Sequence, residues 1–130
     1  MNFAITVHGG PFSNQASATA LRFARAAAMA GHRVRRVFFY HEGVLTANAL
    51  SVPPQEEHSV REEWVALAAR ENIELAVCIA TALKRGVVGA AERERYELPG
   101  ISLHPSFVLV GLGQLLDAMS DCDRFVTFAA

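Results

Sequence analysis

The chain has 130 residues, 52% hydrophobic and 19% charged, with 12 Lys and Arg against 13 Asp and Glu for a formal net charge of -1. That length suits one domain, residues 1–130, able to bury a core of its own. The near-neutral balance excludes the broad basic footprint of a nucleic-acid binder, and the apolar excess over ordinary globular usage points to extra buried surface such as a subunit interface.

The opening MNFAITVHGG has no basic leader before its apolar run and no small-residue cleavage pattern, and no later stretch approaches the roughly 18 apolar residues of a membrane span. A soluble cytoplasmic protein is expected. Phe3 to Val7 reads as a β-rich strand ended by the turn formers His8-Gly9-Gly10-Pro11. From Asn14 to Ala30 the chain is alanine-rich, with Leu21, Ala24 and Ala28 on one helical stripe and Gly31 where a C-terminal glycine belongs. Val34 to Tyr40 is β-branched and aromatic, the mark of a strand covered on both faces. Arg33, Arg35 and Arg36 stand at its start as a solvated end or an anion or partner site. The long loop HEGVLTANALSVPP follows, of a length that in ordered proteins carries function or an interface.

Pro53 and Pro54 before Glu56 and Glu57 predict a helix start. The helix runs to about Glu71 with Val60, Trp64, Leu67 and Ala68 inward, which makes Trp64 a core anchor. Ile73 to Val77 is the third strand, Cys78 stands at its carboxyl end, and Thr81 to Arg85 is helical. Gly86, Gly89, Pro99, Gly100 and Pro105 break the next stretch into short helices and loops. A helical pattern runs through Val108, Leu112, Leu115, Leu116 and Met119, and RFVTF (124–128) closes the chain as a strand. Such alternation predicts a doubly wound α/β fold, with a mainly parallel sheet of four to five strands and helices on both faces. Chemistry then collects at the carboxyl ends of the strands.

Among chemical signals, Gly9-Gly10 and Gly111-x-Gly113 complete neither a dinucleotide nor a P-loop pattern, and no GxSxG occurs. The five histidines (His8, His32, His41, His58, His104) lack metal-ligand spacing. The two cysteines form neither a CxxC pair nor a zinc pattern. Cys122, between Asp121 and Asp123, reads as inert, because adjacent carboxylates oppose thiolate formation. Cys78 admits two readings: a buried core thiol, or a thiolate favoured by the helix behind it and by Lys84 and Arg85.

Three segments, RRVFFYHEGVLTANAL, VCIATALKRGVVG and GLGQLLDAMSDCDRFVTF, together resemble the DsrE/TusD subunits of bacterial sulfur-relay complexes. The resemblance implies a DsrE-like α/β subunit that carries sulfur as a persulfide on one cysteine, which maps onto Cys78, with no metal or organic cofactor. It further implies assembly with DsrF/TusC-like and DsrH/TusB-like subunits into a hexamer holding two copies of each. A DsrC/TusE-like protein is the implied acceptor, and a TusA-like or rhodanese-type protein the implied donor. The pathway is either thiolation of the tRNA wobble uridine or dissimilatory sulfur oxidation, with His104-Pro105 and GLGQL leaning toward the latter. Two rivals stand beside this reading. One is a cysteine-dependent hydrolase or lyase in which His8 or His104 activates Cys78; the other is a non-catalytic assembly subunit in which Cys78 only packs.

Overall fold

The computed structural model describes residues 1–129. Five strands form one parallel sheet: β1 (Asn2–Val7), β2 (Arg33–Phe39), β3 (Glu74–Cys78), β4 (Phe107–Val110) and β5 (Arg124–Phe128), in the order β4-β3-β2-β1-β5. Five α-helices accompany them: α1 (Ala16–Met29), α2 (Val60–Glu71), α3 (Ile79–Lys84), α4 (Ala90–Arg95) and α5 (Leu112–Asp121). The chain winds outward from β1 to β4 and then returns past β1 to β5. Right-handed crossovers therefore put the helices of the outward and return legs on opposite faces. This is the expected doubly wound α/β fold.

The main core lies between the sheet and α1, α2 and α3, where Ile5, Val7, Val37, Phe39, Leu75 and Val77 meet Leu21, Trp64, Leu67 and Ala82. Trp64 is fully buried. Its ring stands edge-on to Phe39 at 5.7 Å, and its indole N–H donates to Ser17 Oγ at 3.1 Å. The other face is thinner: Phe38, Ala76, Cys78 and Val110 form a small cluster against Tyr40 and Leu115 of α5.

Two local expectations are corrected. The α2 helix begins at Val60 rather than at the prolines, because Ser59 accepts the Glu62 N–H at 3.3 Å and so caps it; the Ser59-x-x-Glu62 spacing is a helix-start signal in its own right. The pattern from Val108 to Met119 is split. Phe107–Val110 is the strand β4, paired residue for residue with Leu75–Cys78, and only the part beyond Gly111 is helical. Consequently Leu112, Leu116 and Met119 lie outward, at 51%, 63% and 47% exposure, while Leu115 and Ala118 turn toward the sheet. The long loop is ordered: His41–Ala47 is a 3-10 helix, and Asn48 bridges Leu103.

Candidate functional site

Cys78 is the last residue of β3 and the N-cap residue of α3, and its final ladder partner is Val110 of β4. Beyond these two strands the chain departs to opposite faces, β3 into α3 on the main-core side and β4 into α5 on the other. Adjacent strands with connections leaving in opposite directions open the crevice where doubly wound sheets bind ligands. Cys78 sits in that crevice on the α5 face of the sheet, at 2% exposure, in the cluster with Phe38, Ala76 and Val110 that Tyr40 and Leu115 pack against.

The charges expected to attend Cys78 are directed elsewhere. Arg85 donates through Nε to Glu42 Oε1 at 2.9 Å and through Nη1 to the Thr81 carbonyl at 3.3 Å. Lys84 is exposed at the far end of α3, six residues and roughly 9 Å of helix away.

Three rings close the neighbouring side of the crevice. Tyr40 follows β2, stacks on Phe38 at 6.1 Å and meets His41 edge-on at 4.1 Å. His8 follows β1 and lies 5.7 Å from Tyr40 and 5.2 Å from His41, between ring centroids. The strand exits are clamped by backbone: the His8 N–H donates to Phe128 O at 2.9 Å, the Tyr40 N–H to Val7 O at 3.0 Å, and the Gly43 N–H to His8 O at 3.2 Å. A Cβ at Gly43 would collide with the Val7 carbonyl, so this approach requires glycine. His41 takes a left-handed φ of 48°, which is uncommon outside glycine and found at functional sites. Burial, and then the charge of His41, hold His8 below the ordinary histidine pKa.

Of the two histidines considered as activators of Cys78, His8 reaches its edge and face. His104 lies on the opposite face, with Nε2 at 3.8 Å from Glu62 and its ring edge-on to Phe107. Tyr40 and His41 were missed in the sequence. The positions directly after each apolar run, on a sheet whose active edge was already predicted, were the available signal.

Arg33, Arg35 and Arg36 line a cavity of about 400 Å³ together with Glu74, Asp117, Asp121 and Cys122. This cavity lies at the amino ends of the strands, away from Cys78. Arg36 donates to Glu74 through Nε at 2.9 Å and Nη2 at 2.7 Å, and to the Gln114 carbonyl at 2.9 Å. Cys122 follows the last turn of α5, whose first turn adjoins Val110. A ten-residue helix, ~15 Å long, therefore separates the neighbourhoods of the two thiols, well beyond disulfide reach.

The profile of the DsrE/DsrF-like family matches residues 1–128. The chain belongs to the DsrE/DsrF-like family. Similar members include the DsrE protein of Allochromatium vinosum, 41% identical over 128 residues that cover 98% of each chain. Sulfurtransferase TusD of Klebsiella pneumoniae is 42% identical over 98% of this chain and all of its own. The crystal structure of the YchN protein from E. coli superposes with a TM-score of 0.78, covering 98% of this chain and 99% of that one at 17% identity; it supports the fold alone. The family resemblance read from the three segments is thereby met. So is the enzyme class, since relatives aligned along the whole chain are sulfurtransferases.

Proposed function

We propose that this chain is the sulfur-carrying subunit of a relay, holding sulfane sulfur as a persulfide on Cys78. The supporting observation is the position of Cys78 at the β3/β4 crevice, in a chain whose relatives are sulfurtransferases. The Cys78 thiolate attacks the outer sulfur of a donor persulfide R–S–SH. A new S–S bond forms, the donor S–S bond breaks, and R–S⁻ leaves. The acceptor cysteine then attacks the outer sulfur of Cys78–S–SH and regenerates the Cys78 thiolate. Both steps are thiol–disulfide-type displacements at sulfur. Oxidation of Cys78 is matched by reduction of the donor, so the exchange needs no cofactor.

Because Cys78 is 2% exposed within a cluster that Tyr40 and Leu115 pack against, donor and acceptor reach it by displacing side chains that cover the cluster. A mobile, cysteine-bearing segment of a DsrC/TusE-like acceptor suits such a covered crevice, and a TusA-like or rhodanese-type protein is the matching donor class. Partner subunits of the DsrF/TusC and DsrH/TusB kinds complete the proposed hexamer. The outward Leu112, Leu116 and Met119 of α5 give it apolar surface to cover. The DsrE and TusD relatives stand at 41% and 42% identity, so both pathways, sulfur oxidation and tRNA thiolation, stay within the proposal.

The test is intact-mass spectrometry after incubation with a persulfidated donor protein, comparing wild type with Cys78→Ala. Wild type should gain the mass of added sulfur and the variant should not. Absence of the gain in wild type, or an equal gain in the variant, would end the proposal.

A further inference from the structure

The cleft at the amino edge of the sheet carries an inference that is independent of Cys78. In an unbroken strand, residues on one face are two apart. Val34 and Val37 of β2 are three apart, yet both are buried in the main core. A β-bulge reconciles them: Phe3 of β1 pairs with Val34 and Ala4 pairs with Arg36, so Arg35 is an extra residue without a ladder partner on β1. Bulges re-aim side chains and recur beside functional sites. Here the bulge accompanies three arginines, Arg33, Arg35 and Arg36, that all line the cavity of about 400 Å³.

The wall opposite β2 is acidic. Asp117 and Asp121 are four residues apart on α5 and so share one side of the helix. Arg36 is already engaged: it meets Glu74 at 2.7 Å and donates to the Gln114 carbonyl at 2.9 Å, which ties the sheet to the first turn of α5. Ala4 of β1 and Ala118 of α5 also line the cleft. Both are buried, and their short side chains leave space between sheet and helix. Arg33 and Arg35 remain on one wall, with Asp117 and Asp121 on the other. Among the described residues none of these four takes part in an ion pair, although all four line the same cavity. A simple anion entering the cleft would be repelled by the two aspartates, and a simple cation by the two arginines. A ligand carrying both signs satisfies both walls.

We propose that this cleft binds a small acidic zwitterion with two carboxylates and one ammonium, as in an acidic amino acid or a short acidic peptide. Arg33 and Arg35 take the carboxylates through their guanidinium N–H groups, and the ammonium lies against Asp117 and Asp121. The cavity volume falls within the roughly 300–1,000 Å³ of small-ligand sites.

Isothermal titration calorimetry of the full chain with glutamate, with S-methylglutathione and with the N-acetyl form of each tests the proposal. Both parent compounds carry the three charges, acetylation removes the ammonium, and S-methylglutathione has no thiol to exchange with Cys78 or Cys122. At least one parent should bind saturably with a Kd of about 1 mM or tighter, and the tighter of the two distinguishes amino acid from peptide. Its N-acetyl form should bind about fivefold more weakly or worse, and the double variant Asp117→Asn/Asp121→Asn should weaken the parent while leaving the N-acetyl form unchanged. Arg33→Gln and Arg35→Gln should each weaken the parent about threefold or more, with unchanged thermal melts because both side chains are exposed. Cys78→Ala should bind as wild type does, since the cleft lies at the other end of the strands. No saturable binding of either parent up to about 20 mM, equal binding of parent and N-acetyl forms, or arginine variants that bind as wild type does overturns the proposal.

Discussion

Replacing Trp64 with Phe tests how the α1/α2 layer is held on the sheet. The indole is fully buried against Phe39, and its N–H is the partner of Ser17 Oγ, itself 1% exposed. Truncating a buried Trp to Ala costs about 3–5 kcal/mol, and Phe retains the six-membered ring, so the packing loss should be about half of that. Stranding the Ser17 hydroxyl adds roughly 1 kcal/mol. The expected total is about 2.5–3.5 kcal/mol, a large share of the roughly 5–15 kcal/mol stability of a domain, or ~10 °C in Tm for a chain of this size. Ser17→Ala alone should cost about 1–2 kcal/mol by leaving the indole N–H unpaired. The double variant, with both polar groups gone, should be no less stable than Trp64→Phe alone. Urea unfolding of the four proteins completes the double-mutant cycle, at constant slope. Single effects that add to within about 0.5 kcal/mol would refute the buried hydrogen bond as the link between α1 and α2.

Gly43→Ala should destabilise by about 1–3 kcal/mol through collision with the Val7 carbonyl. Thermal melting checks this, and a change within about 0.3 kcal/mol would contradict the close approach. His8 makes stability pH-dependent. Its folded pKa lies below the unfolded value of about 6.5, so the unfolded chain binds more protons between the two. This contribution is whole above about pH 6.5 and is lost as pH falls through the lowered value. The drop in urea midpoint between about pH 7.5 and 5 should therefore be smaller in His8→Gln than in wild type. Cys122→Ser should leave sulfur loading of Cys78 unchanged in intact-mass spectra, since Cys122 stands at the other end of α5.

Much of the frame was legible because it is written in short-range chemistry. Short apolar runs rich in β-branched or aromatic residues mark β1, β2, β3 and β5, and the 3.6-residue stripe through Trp64 and Leu67 marks the buried side of α2. The start of α2 was misplaced because prolines and acids are permissive first-turn residues, whereas the hydrogen bond made by Ser59 decides where the helix begins. β4 was hidden in a helical pattern, because four residues are too few for periodicity to separate strand from helix. Its ladder with Leu75–Cys78 decides it.

The placement of Cys78 after β3 followed from order along the chain alone, and so did the family likeness. Its surroundings did not. Tyr40 is 38 residues before Cys78 and Val110 is 32 after it, and nothing local to either pairs it with the thiol. The sheet order β4-β3-β2-β1-β5 brings them together, because each crossover helix must bury its apolar side against a shared sheet and thereby sets which strands become neighbours. The same order turns Arg85 toward Glu42 and puts rings, rather than the expected positive charges, beside the thiol.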